Sequence, residues 1–220
     1  MWTSPRERLE FVRFCETVPS AKRHSFKPKA LIFLEPPRNV GWVVAEGYVK
    51  LICNQSTGQA WIQRIVGKGG MFGQVPFDHS NTSCEHQAIS QGPAEVISFN
   101  CGILEESLGS QPLQSAKLLQ SLASRIQSLE RRLAWQFKSP LSVRVATILQ
   151  DLISREGRRC RHGHSIDVRL THQELAELAG ATRQVISALL VDLKRQGIIE
   201  YTRNYFCVDD IRRLESLAMT

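Results

Sequence analysis

The sequence predicts an α+β chain: an N-terminal β sandwich or barrel, one long helix, and a small C-terminal winged helix–turn–helix. Three observations predict it. Residues 20 to about 100 are short runs of Val, Ile and aromatic residues punctuated by Gly and Pro. Residues 112–137 carry a narrow apolar stripe at helical spacing. Residues 171–208 contain two capped helices around a glycine turn, then two short apolar runs.

Composition narrows the function classes. The chain has 220 residues and 42% hydrophobic content, enough for one large or two small domains and too apolar for disorder. It contains no run of the roughly 18 apolar residues that span a membrane. The opening MWTSPRERLEF lacks the apolar segment of a signal peptide, so the expected location is cytoplasmic with no membrane partner. Six cysteines (Cys15, Cys53, Cys84, Cys101, Cys160, Cys207) lie far apart and form no CxxC pair. That spacing argues against a zinc site and against a disulfide framework, and most of them are expected to be small buried residues. Net charge is +7: residues 1–137 hold 15 Lys and Arg against 11 Asp and Glu, and residues 138–220 hold 13 against 10. A mildly basic surface suits a nucleic-acid partner without requiring one. A metal-dependent enzyme on such a sandwich needs clustered His on its strands, and residues 20–78 hold one, His24. No nucleophile–base–acid set stands out elsewhere, so no enzyme is expected.

The strand signals are "ALIFL", "VGWVVAEGYVKLICN", "QAWIQRIV" and "AEVISF". Pro36-Pro37, Gly47, Gly58, Gly67, Gly69-Gly70 and Gly73 separate them, and evenly punctuated short strands build sandwiches and barrels. After them Leu119, Leu122, Ile126, Leu129 and Leu133 are spaced 3, 4, 3, 4, a heptad seam. A helix packed on its own domain needs a wider stripe, so the seam points to a partner helix. The simplest is the same helix of a second copy in a two-fold dimer. Ser139-Pro140 ends the helix and marks a hinge. Beyond it "SVRVATILQDLIS" is amphipathic, and "REGRRCRHGH" reads as a basic loop. His162 and His164 have no further ligand nearby in sequence, so a solvated loop is favoured over a metal site.

Thr171 and Glu174 form a capping box that starts a helix at His172. Leu175, Ala176, Leu178 and Ala179 are its apolar face, and Gly180 permits a tight left-handed turn. Thr182 caps a second helix expected from Arg183 to about Gln196, stopped by Gly197. Val185, Ile186, Leu189, Leu190 and Leu193 are expected inward, leaving Arg183, Gln184, Ser187 and Ala188 outward. In a helix–turn–helix the second helix enters the DNA major groove by its N-terminal residues. Arg matches a guanine edge and Gln an adenine edge, each discriminating by roughly 1–3 kcal/mol. An ordinary helix corner would leave "GIIEYTRNYFCVDD" unexplained. There Ile198-Ile199 and Phe206/Val208 read as a hairpin turning at Arg203-Asn204, a wing.

This order of parts resembles the Crp/Fnr family of bacterial transcription regulators. The matching pieces are "VVAEGYVKL" (43–51), "GKGGMFGQ" (67–74), "AEVISF" (94–99) and "LTHQELAELAGATRQVISALLVDLKRQGII" (170–199), which together cover nearly the whole chain. The resemblance implies a jelly-roll effector domain (1–110) of the cyclic-nucleotide-binding kind, a dimerisation helix (111–138) and a winged helix–turn–helix DNA-binding domain (139–220). It implies a homodimer on two-fold symmetric double-stranded DNA, with RNA polymerase as a further partner. DNA-facing residues would then be Thr171, His172, Thr182, Arg183, Gln184, Ser187 and Arg203. The family's recognition helix commonly carries a second Arg where Ala188 stands here, which implies a different half-site.

The effector pocket departs from the family pattern. Cyclic-nucleotide members carry a Glu for the ribose after "FG" and an Arg-Ser pair for the phosphate. Here residues 72–90, "FGQVPFDHSNTSCEHQAIS", contain no Arg or Lys. Gln74 replaces the Glu, and Cys84 and Glu85 fall at the Arg-Ser positions. Asp78 and Glu85 would repel a phosphate, which Arg's planar fork of donors normally meets. Control by cAMP in the usual mode is therefore not expected. Three alternatives stay open. The protein needs no small effector. Or it binds another ligand: Arg125 and Glu130 have the spacing of a pair in the family's nitrogen-control branch, which senses 2-oxoglutarate, although a solvated helix face explains them as well. Or His79, Cys84 and His86 hold haem or a metal, or Cys84 is a redox switch, against the plainer reading of idle side chains. No resident cofactor is expected.

Overall fold

The computed structural model describes residues 5–54, 60–78, 87–160, 163–166, 168–202 and 206–219. The chain divides into two compact units, residues 1–126 and 127–220. None of the helices among the described residues is long and apolar enough to cross a membrane.

The first unit opens with α1 (Pro5–Thr17), followed by β1 (Lys22–Phe26), β2 (Leu31–Phe33), β3 (Val40–Glu46), β4 (Val49–Asn54), β5 (Ala60–Val66), β6 (Met71–Gly73), β7 (Gln87–Ser90) and β8 (Ala94–Asn100). The strands form two antiparallel four-stranded sheets, β1-β8-β3-β6 and β2-β7-β4-β5. This is the strand order of a jelly roll, as the sequence predicts. Gly47 carries a φ of 76° in the β3–β4 turn, and a Cβ there would meet the Pro93 carbonyl oxygen at 2.3 Å, so only glycine fits.

The burial of β3 explains what lies outside the sandwich. Its residues Gly41 to Ala45 are buried without alternation, which happens when both faces of a strand are covered. Trp42 and Val44 join Phe33, Leu51, Phe72, Ala88 and Val96 in the core between the sheets. Val43 and Ala45, with Ile97 and Phe99 of β8, face the opposite way into a second core. That core is completed by Phe11, Val12, Phe14 and Cys15 of α1 and by Leu104 and Leu108 of α2 (Cys101–Gly109). Neither α1 nor α2 is expected from the sequence patterns above.

The long helix, α3 (Pro112–Lys138), lies where the seam predicts it. Leu118 is buried in the second core and Leu122 packs against its edge. Lys117 donates to Glu10 of α1 at 2.7 Å, holding that carboxyl below the usual carboxylate range. The rest of the seam is bare: Leu119, Ile126, Leu129 and Leu133 are 66%, 56%, 47% and 58% exposed. The boundary between the compact units lies within α3, ahead of the backbone break at Ser139-Pro140. Beyond that boundary the buried Ser128 hydroxyl donates to Asp151 of α4 (Leu141–Glu156) at 2.9 Å.

The second unit continues with β9 (Gly157–Cys160), β10 (Gly163–Ile166), α5 (His172–Ala179), α6 (Arg183–Arg195), β11 (Ile199–Tyr201), β12 (Phe206–Val208) and α7 (Ile211–Met219). The expected basic loop is thus corrected to the hairpin strands β9 and β10. They extend the wing into one sheet of order β11-β12-β10-β9. His164 pairs with Val208 and Arg159, so backbone pairing with the wing overrides the loop-like composition. His162 lies outside the described residues. The core of this unit is made by Val145, Ala146 and Leu149 of α4, Leu175 of α5, Ile186 and Leu190 of α6, Phe206 of β12 and Leu214 of α7.

Candidate functional site

The caps that define α5 and α6 form as their sequences require. The Thr171 hydroxyl accepts from the Glu174 N–H at 3.1 Å, and the Glu174 carboxylate accepts from the Thr171 N–H at 2.9 Å. Gly180 adopts φ 62°, ψ 50°, and its N–H closes the end of α5 onto the Ala176 and Glu177 carbonyls. The turn is left-handed, where a side chain would be strained. Thr182 then caps α6, its hydroxyl accepting from the Val185 N–H at 3.5 Å. At the far end of α6, Arg213 of α7 donates to the Gln196 carbonyl at 2.9 Å.

The outer face of α6 carries the predicted side chains with one correction. Arg183, Gln184 and Ala188 are exposed, and Ile186, Leu190 and Leu193 are buried. Val185, expected inward, is 52% exposed. The buried line is i, i+4, i+7 from Ile186, and a residue one step before it is rotated by about 100° out of that line.

Ser187 and His172 are tied to each other. His172 Nδ1 lies 2.8 Å from the Ser187 hydroxyl, and both residues are half-buried. The imidazole edge meets the Tyr201 ring at 5.3 Å between centroids, and Tyr201 stacks on Phe206 at 5.7 Å. Lys194 packs over the same Tyr201 ring and pairs with Glu200 at 2.6 Å. The first turn of α5, the face of α6 and strand β11 of the wing are thereby braced as one surface. They enclose a cleft of about 710 Å³ lined by Leu170, Thr171, His172, Gln173, Arg183, Tyr201 and Thr202. Sequence reasoning does not single out Gln173, Tyr201 or Thr202. The available signal for Tyr201 is its place at the end of an apolar run facing the predicted wing turn. Arg203 lies outside the described residues.

Burial, and then the positive charge of Arg183, hold the His172 imidazole below its ordinary value of 6.5. On acidification the unfolded chain therefore takes up a proton before the folded one does. Stability is unaffected well above that ordinary value, falls as pH drops through it toward the folded value, and levels off once both states are protonated. The expected result is that His172→Gln flattens this part of the profile. Thermal unfolding of both proteins between about pH 7.5 and pH 5.5 checks it. Equal acid losses in the two would show that His172 contributes nothing to the slope.

Of the proposed effector residues, Gln74, Arg125 and Glu130 are among those described. Gln74 uses both ends of its amide within the protein: Oε1 accepts from the Asn39 N–H, and Nε2 donates to the Asp78 carbonyl at 2.9 Å. Arg125 is half-buried and Glu130 exposed on α3. His79, Cys84, Glu85 and His86 lie outside the described residues. No group of three or more metal-ligating side chains occurs among the described residues.

Residues 143–217 match the Crp-like helix-turn-helix domain. The whole fold is similar to that of FixK2 from Bradyrhizobium japonicum, with a TM-score of 0.75 over 90% of this chain and 96% of that one at 21% identity. It is also similar to a Crp-family transcriptional regulator from Thermus thermophilus, with a TM-score of 0.70 over 90% and 97% at 22% identity. In sequence the chain is 27% identical over 172 residues to the global nitrogen regulator of Nostoc sp., covering 78% of this chain and 77% of that one. Residues 143–217 thus belong with the Crp-like helix-turn-helix domains, and the chain as a whole is similar to Crp/Fnr transcription regulators. A further relative is the CRP-like cAMP-activated global transcriptional regulator of Mycobacterium tuberculosis, 26% identical over 174 residues, or 79% of this chain and 77% of that one. These relatives are regulators rather than enzymes, and this chain binds DNA through its Crp-like helix–turn–helix.

Proposed function

We propose that the protein acts as a homodimer that reads a two-fold symmetric operator with the N-terminal half of α6 and is not controlled by cAMP in the usual way. The observation that carries this reading is the exposed face of α6. Arg183 and Gln184 stand free of the core on a helix whose start is capped by Thr182. Arg183 would meet a guanine edge and Gln184 an adenine edge. Val185 and Ala188, exposed and apolar, suit a thymine methyl group. Thr171, Thr182 and Arg203 would contact the backbone, while Ser187 and His172 hold the helix in position. The functional division is sensor (1–110), dimer helix (111–138) and DNA-binding domain (139–220), with RNA polymerase as the downstream partner.

Bare seam residues of α3 support the dimer: four large apolar side chains face solvent in one copy. A change of packing along that helix would alter the separation of the two reading helices. The case against cAMP rests on charge. No Lys or Arg occurs between Lys68 and Lys117, so the family's phosphate cassette lacks its cation, and Gln74 is engaged by Asn39 and Asp78.

The test is a gel shift on duplex DNA across a salt series, with and without cAMP. Affinity is expected to fall linearly on a log–log plot with a slope of about −0.9 per phosphate contact, unchanged by cAMP. A flat salt response would remove the DNA reading. A cAMP-dependent rise in affinity would remove the reading of the pocket.

A further inference from the structure

Two cysteines far apart in sequence meet in the wing sheet. Cys160 ends β9 and is exposed, and Cys207 is buried in β12. Their sulfurs are 3.1 Å apart across a separation of 47 residues. Strand β10 runs between β9 and β12 in the sheet, and Cys160 is the last residue of β9. The chain between the two includes α5, α6 and β11, the whole helix–turn–helix with the first wing strand.

We infer that Cys160 and Cys207 form a reversible disulfide when the protein meets a peroxide, closing a covalent loop around the helix–turn–helix. The reaction divides between an exposed and a buried thiol. Burial, reinforced by the neighbouring Cys160 and Asp209, pushes the Cys207 thiol up to about 12, so it stays protonated. The exposed Cys160 gives up its proton to solvent, and its sulfur attacks one peroxide oxygen. The O–O bond breaks, hydroxide departs and takes up a proton, and Cys160 becomes a sulfenic acid. The Cys207 sulfur then attacks that sulfur. The S–O bond breaks, and the departing hydroxyl leaves as water with the Cys207 proton. Two thiols are oxidised to one disulfide, and one peroxide is reduced to two waters. Closing from 3.1 Å to the roughly 2.05 Å of a disulfide requires a shift of about 1 Å between the sulfurs.

A bond across 47 residues restricts the unfolded chain while leaving the folded wing in place.

The experiment treats the full-length protein with a small excess of hydrogen peroxide, blocks remaining thiols with iodoacetamide, and maps the tryptic peptides by mass. Calorimetry follows the same samples with and without dithiothreitol. The expected result is a Cys160–Cys207 linked peptide lighter by two hydrogens than its reduced pair. With it, one thermal transition rises by roughly 10 °C and is reversed by dithiothreitol. Both signals should be absent in Cys160→Ser, a conservative change at an exposed position, and in Cys207→Ala. Linkage of Cys160 to another cysteine, oxidation of Cys160 without linkage, or a linked peptide with no rise in the transition would each overturn the proposal.

Discussion

Arg183→Ala is expected to lower affinity for a selected operator by roughly thirty-fold or more while leaving weak binding at low salt. One bidentate contact to a guanine edge discriminates by roughly 1–3 kcal/mol, and a dimer loses one in each half-site. Two copies together lose roughly 2–6 kcal/mol, of which the lower bound is already about thirty-fold. The phosphate contacts that carry non-specific affinity remain. The fold should be untouched, because Arg183 is exposed and the α6 cap is made by Thr182 and the Val185 N–H. Footprinting of the variant beside the wild type measures the loss, and circular dichroism confirms the fold. A variant that protects the same site at the same concentration would show that Arg183 does not read bases.

Replacing Ile126 and Leu129 together with Glu is expected to convert the protein to monomers. Both side chains are about half exposed in the single chain, so the protomer does not need them for its own core. Burying an Ile or Leu in a partner is worth roughly 1.5–3 kcal/mol each, and two-fold symmetry doubles the count of buried groups. Four carboxylates brought together across the seam add repulsion and desolvation. Sedimentation at micromolar concentration should show the wild type as a dimer and the variant as a monomer of unchanged helix content. Operator affinity should fall with it, since the second half-site is no longer held by the first. A wild type that sediments as a monomer, or a double variant that still pairs, would remove the seam from the account.

Some features are legible in the sequence because their physics is local. Thr171, Glu174, Gly180 and Thr182 satisfy or redirect the backbone within a few residues, so they place the helix–turn–helix to the residue. The α3 seam is equally legible, since periodicity alone separates a narrow stripe from a broad one. What escapes depends on distant neighbours. The unbroken apolar run "GWVVA" in β3 reflects a second covered face, but by itself it says only that a strand is present. The helices that cover that face, α1 and α2, therefore go unpredicted. Strands β9 and β10 are hidden by Arg, His and Gly, residues that suit a loop until a partner strand is present. Val185 is misplaced because a helix packed on a small unit buries a narrower line than its apolar content suggests.

In the site the same division holds. Arg183 and Gln184 are readable as outward residues from helix geometry. The bracing of Ser187 by His172, fifteen residues apart, and the meeting of Cys160 with Cys207, forty-seven apart, exist only through the tertiary fold. Of the effector candidates, Gln74 looks ligand-facing from its place after "FG", yet its amide is used to join two backbone segments.

In the proposed complex, paired copies of α6, held by α3, meet successive turns of one duplex. Hydroxyl-radical footprinting of the wild-type protein on DNA selected from random duplexes, with the number of bound chains counted by sedimentation, tests it most directly. The expected result is two chains per duplex and two protected half-sites, related by a two-fold axis and centred about 34 Å apart. One chain on a single, asymmetric protected stretch, or no protection at low ionic strength, would contradict it.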